Sequence, residues 1–169
     1  MDTQTFYGIA HPAQAVAFAT RVCDVIGHGS TRKAVPMLLE TSATETLVGQ
    51  YRDDTLYYAG AGICQTDEST FDWLKEKYQD SSIAKRIKEE LNIDLRKVSY
   101  QELDYSPMLS FIFARLRYWV VEAPIPASVE GRAQYWKDHY NSHAENAKGT
   151  PEKYLERVKQ CAVYIRMAA

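Results

Sequence analysis

Ser106-Pro107 opens, and Pro124 and Pro126 close, a segment in which Leu109, Ile112, Phe113, Leu116 and Val120 recur at helical spacing. Proline is tolerated in the first turn of a helix, where its missing N–H has no intrahelical use, and stops a helix further on. The pattern therefore predicts a well-bounded apolar helix that only a folded core can bury. Arg115 and Arg117 interrupt the apolar run from Leu109 to Val121, so it falls short of the ~20 uncharged residues that a membrane span needs.

The rest of the chain repeats this grammar. Pro12 predicts a helix running to about Ile26, with Gly27 as its stop and Val16, Ala19, Val22 and Ile26 inward. A second helix is expected over about Thr31 to Thr41, ending where Thr41-Ser42-Ala43-Thr44 lowers helix propensity. Further helices are expected after Thr66 or Asp67 (Phe71, Leu74, Tyr78 inward) and after Ser81 or Ser82 (Ile83, Ile87, Leu91 inward). Two more span about Val129 to Tyr140 and start at Thr150-Pro151, the latter turning Tyr154, Leu155, Val158 and Ile165 inward. Thr46-Leu47-Val48 and Thr55-Leu56-Tyr57-Tyr58, around Arg52-Asp53-Asp54, read as a β-hairpin whose first residue is Glu45. The expected fold is mainly α with a small β-hairpin wing, an α+β arrangement. With 169 residues and no repeat or linker, residues 1–169 read as a single domain.

Composition excludes some functions. A net charge of −2 without a basic block argues against nucleic acid. Cys23, Cys64 and Cys161 show no paired metal or redox spacing and read as reduced thiols. Met1-Asp2-Thr3-Gln4 does not begin a secretory signal, so delivery to the cell envelope by another route is expected. His139 and His143 lie four apart, but Asn141-Ser142 interrupts the helix between them and no metal site is expected.

Three segments carry the candidate chemistry. Leu38-Leu39-Glu40-Thr41 sets a carboxylate behind two leucines at an expected helix end; such a place favours the neutral carboxyl that a general acid requires. Gly60-Ala61-Gly62-Ile63-Cys64-Gln65 combines two glycines, which allow close backbone approach, with an amide that both donates and accepts. Trp136-Lys137-Asp138-His139-Tyr140-Asn141 closes a helix ahead of Lys148-Gly149-Thr150.

In this order the three segments resemble the lysozyme-like superfamily, most closely its soluble lytic transglycosylase and goose-type lysozyme branch as found in bacteriophage virions. There the motifs are Glu-Ser, Gly-Leu-Met-Gln and Ala-Tyr-Asn; here they read Glu40-Thr41, Gly62-Ile63-Cys64-Gln65 and His139-Tyr140-Asn141. The resemblance implies a lysozyme-like fold and cleavage of peptidoglycan glycan strands between N-acetylmuramic acid and N-acetylglucosamine. Glu40 would be the general acid/base, and Gly62, Gln65, Tyr140, Asn141 and Tyr58 would bind substrate. Tyr57 and Trp136 would offer faces to sugars. A hydrolase would need a second carboxylate, from Asp53, Asp54 or Asp67; a transglycosylase would close the muramyl 6-hydroxyl on the anomeric carbon. No metal or cofactor is implied. The partners implied are glycan strands and phage tail or other virion proteins, in a virion or in the periplasm after synthesis in the host cytoplasm. Two alternatives remain, a structural tail or virion protein with weak or lost activity and a glycan-binding module.

Overall fold

The computed structural model describes residues 4–52, 60–142 and 147–166. The chain is mainly helical, with eight α-helices and one 3-10 helix among the described residues. They are α1 (Gln14–Ile26), α2 (Ala34–Thr46), α3 (Glu68–Tyr78), α4 (Ser82–Leu91), the 3-10 helix (Tyr100–Asp104), α5 (Pro107–Trp119), α6 (Val129–His139), α7 (Pro151–Gln160) and α8 (Ala162–Ile165).

Most starts fall where short polar side chains cap free amides. Asp67, Ser81, Ser106, Ser128 and Thr150 each accept a hydrogen bond from the amide three residues on. Asp67 is the most informative of them. Desolvation pushes its carboxyl up, but hydrogen bonds from the Ser69 hydroxyl and the Thr70 amide outweigh it and hold the group below its ordinary 3.8. The folded state therefore prefers the ionised cap. That contribution is complete above the unfolded-state pKa and fades as pH falls through the folded one. Asp67→Ala should cost about 1 kcal/mol at neutral pH, and urea titrations should show the difference shrinking below about pH 4.

α1 begins two residues later than Pro12 would suggest. The His11 imidazole accepts from the Ala13 amide, and the Gln14 amide oxygen accepts from Ala10 and His11, so the turn around Pro12 caps the helix from outside.

α2 differs most from expectation. It runs through Thr41-Ser42-Ala43-Thr44 and ends at Thr46. Its hydroxyls are satisfied within the helix: Thr41 donates to Met37 O, Ser42 to Leu39 O, Thr44 to Glu40 O and Thr46 to Ser42 O. Buried hydroxyls bonded in this way remove the competition that makes such residues poor helix formers. Every residue of α2 except Pro36 and Glu45 is buried, which makes it the central helix, packed against α1, α5 and α7. α5 is the second core helix, buried from Leu109 to Tyr118. Its Arg115, 2% exposed, donates from Nε to Gly27 O at 2.8 Å.

The hairpin expected after Glu45 is corrected on its first arm. Glu45 and Thr46 are helical, and Leu47 (φ 51°), Val48 (φ 56°) and Gly49 (φ 81°) follow as a left-handed run. A β-branched residue in that region is strained; complete burial of Val48 holds it there. The second arm, Thr55 to Tyr58, and the turn at Asp53-Asp54 lie outside the described residues. Among those described, the β structure is one antiparallel bridge between Ala61 and Thr66.

Candidate functional site

The site grows from the last turn of α2. The single proton of the Thr46 hydroxyl is shared between Ser42 O at 3.1 Å and the nearer Ile63 O at 2.7 Å, and the latter contact fixes the turn of residues 60–66 beside Glu45. The turn closes on itself through reciprocal Ala61 and Thr66 amide bonds. The Gly62 amide donates to Asp104 Oδ1 at 2.8 Å, and the Cys64 amide to Ser110 Oγ at 3.1 Å. Gly62 has φ +78°, and a Cβ there would lie 2.6 Å from Ser110 Oγ and 2.7 Å from Leu103 O. Only glycine fits this place. Gln65, half-buried with φ 50°, donates its amide nitrogen to Gly62 O at 2.9 Å and to the Tyr7 hydroxyl at 3.3 Å.

From the other side comes α6. Arg132, Trp136 and Tyr140 succeed one another at four-residue spacing, one face of a helix. Each donates to a different acceptor: Arg132 to Glu40, the Trp136 indole to Glu45 Oε1 at 3.1 Å, and the Tyr140 hydroxyl to Cys64 O at 2.6 Å. Tyr140 stacks on Tyr118 at 5.2 Å, and the Tyr118 and Thr41 hydroxyls are hydrogen-bonded at 2.7 Å. Burial pushes both phenols well up, and the Glu45 carboxylate adds to the effect on each.

Glu40 lies in mid-helix rather than at a helix end, and only 2% of it is exposed. Its carboxylate takes a two-pronged hydrogen bond from Arg132 (2.6 Å to Oε2, 2.7 Å to Oε1) and a third from the Tyr154 hydroxyl at 2.7 Å. Burial alone would pull the guanidinium down; Glu40 outweighs it and holds Arg132 above its ordinary value. Arg132 also donates to Pro126 O and Ala127 O, so the pair is well satisfied. A carboxylate accepting three such bonds is built as an ion-pair anchor. A proton donor facing a substrate needs a different geometry.

The other candidates divide. Gly62, Gln65 and Tyr140 come together around the 60–66 turn. Asn141 accepts from Lys137 Nζ at 3.0 Å and finishes α6 through its amide to Trp136 O. Asp67 is a helix cap. Trp136 is 1% exposed, too deep to serve as a sugar platform. Tyr57, Tyr58, Asp53, Asp54 and His143 lie outside the described residues. His139 sets its ring edge against Tyr135 at 4.6 Å. Among the described residues no group of three His, Cys, Asp or Glu could hold a metal ion, and no helix is long and apolar enough to cross a membrane.

Burial pushes the Cys64 thiol far up and lifts Cys23 to about 12 and Cys161 to about 11. All three are free and buried, and thiols are poor nucleophiles. Ellman's reagent at about pH 8 should therefore label none of them in the native protein and all three in denaturant. Rapid native labelling of Cys64 would show that the turn opens.

Glu45, a second acid close to Glu40, reads from the sequence as the first residue of the hairpin; the structure puts it in the last turn of α2, so that Glu45-Thr46, a Glu-Thr pair like Glu40-Thr41, is the one at which the helix stops. The spacing of Arg132, Trp136 and Tyr140 was readable, but their acceptors were not. Comparison with known protein families, curated proteins and solved structures finds no match to this chain.

Proposed function

We propose that this protein is a peptidoglycan-cleaving glycosidase, cutting between N-acetylmuramic acid and N-acetylglucosamine, with Glu45 in place of Glu40 as general acid/base. The observation that carries the proposal is the Thr46 bond to Ile63 O, which ties a half-buried carboxylate at a helix end to the Gly62–Gln65 turn. In this scheme the Glu45 carboxyl gives its proton to the glycosidic oxygen as the C–O bond breaks toward an oxocarbenium-like state. The resulting carboxylate then takes a proton from the nucleophile that closes on the anomeric carbon, either the muramyl 6-hydroxyl or water. Gln65 and Tyr58 are the proposed sugar contacts. Gly62 and Tyr140 shape and brace the turn, and Asn141 ends the helix that carries the brace.

The proposed setting is a phage particle or phage-driven lysis, with glycan strands as substrate and tail or other virion proteins as neighbours. A structural virion component is the second proposal, supported by the commitment of Glu40, Tyr140 and Asn141 to internal hydrogen bonds. Purified glycan strands digested with the protein and resolved by mass spectrometry separate the two. New chain ends should appear, lighter by one water if the 6-hydroxyl is the nucleophile. Intact strands that still bind the protein would indicate a glycan-binding module; intact strands without binding would favour the structural role.

A further inference from the structure

We propose that Trp136 is a positioning residue for Glu45, its indole N–H holding Oε1 of the carboxylate at the end of α2. The catalytic part of this inference rests on the function proposed above; the hydrogen-bond coupling stands on geometry alone. The donor comes from a ring that is 1% exposed and therefore has little freedom to leave. The ring is closely packed. Tyr154 lies tilted against it at 5.5 Å. A Cβ on Gly149 would fall 2.3 Å from the Trp136 Cη2 atom, so residue 149 must lack a side chain for the indole to sit there.

Tyr154 is itself held by Glu40, and Glu40 by Arg132, one turn before Trp136 on α6. The buried anchor and the candidate acid are thus connected: Arg132 and Tyr154 fix α6 and α7 on Glu40, and the indole pinned between them reaches Glu45. Glu40 would then act on the reaction only through Trp136. This gives a physical reason for two carboxylates five residues apart on one helix, one sealed and one half-buried. Cys64, Tyr118 and Tyr140, on facing elements among the described residues, each feel the charge on Glu45; all three are pushed up by burial and neutral near pH 7.

A hydrogen bond to a carboxylate favours its charged form. Removing the N–H should therefore let Glu45 keep its proton to higher pH, as well as loosen its position. The test replaces Trp136 with Phe and, at constant ring size, with 3-benzothienylalanine, in which sulfur stands for the N–H; Gly149→Ala displaces the indole from outside. One readout needs no activity. With Trp73 and Trp119 changed to Phe, emission from Trp136 should show one titration step between about pH 3 and 9, abolished by Glu45→Gln. The other is rate against pH on glycan strands. All three variants should lower kcat by about tenfold or more with KM within about twofold, and move the alkaline limb upward. A purely structural role would reduce the folded amount without moving that limb. An emission step that survives Glu45→Gln, or an unmoved limb in the benzothienyl protein, overturns the inference. A wild-type protein without turnover overturns the proposed function instead, and the emission titration still decides the coupling.

Discussion

Replacing Glu40 by Gln should lower the stability of the fold by about 3–5 kcal/mol, the usual consequence of removing one partner from a buried ion pair. The amide keeps the shape of the side chain but leaves the Arg132 guanidinium, held between α2 and α6, without its counter-charge. The Tyr154 hydroxyl loses a charged acceptor at the same time. For a chain of this length the loss corresponds to a fall in melting temperature of about 6–20 °C, which calorimetry would register directly. A paired replacement, Glu40→Leu with Arg132→Met, should cost less than Glu40→Gln, because no charge is then left buried alone. Recovery should be incomplete, since Tyr154 would lose its acceptor and the Pro126 and Ala127 carbonyls their donor. A Glu40→Gln protein that is inactive yet as stable as wild type would return the chemistry to position 40.

Glu45→Gln should do the reverse. The half-buried amide oxygen of Gln can still accept from Trp136, so the melting temperature should fall by less than for Glu40→Gln. Turnover of glycan strands should fall by about 10²–10⁴-fold, the range for loss of a general acid. The readout is the rate of new chain ends by mass spectrometry at matched folded concentration. Unchanged turnover would place the acid elsewhere, and loss of stability without loss of rate would make Glu45 a second structural carboxylate.

The two substitutions bear on why the sequence alone points to Glu40 and the structure to Glu45. Glu40-Thr41 and Glu45-Thr46 are the same dipeptide in the same helix, and nothing in the letters ranks them. Propensity favours a stop near Thr41, because isolated threonine and serine side chains compete for backbone groups. In the folded chain those hydroxyls point back along α2 and bond its own carbonyls in a dry interior. The competition disappears, and the helix runs on to Thr46.

Local signals survived folding wherever the physics was itself local. The caps at Ser81, Ser106 and Thr150, the proline at the start of α5 and the inward faces of α3 and α4 depend on residues within one or two turns, and each could be read in advance. Gly62 stands apart from them: the sequence marks it for close backbone approach, but the atoms that exclude a side chain there, Ser110 Oγ and Leu103 O, are distant in sequence. What only tertiary contact decided was which carboxylate is neutralised and which is left at an edge. Arg132 and Tyr154 lie 92 and 114 residues from Glu40; no window along the chain contains all three. A buried charge takes its meaning from the groups around it, and those were chosen by the packing of α6 and α7 on α2.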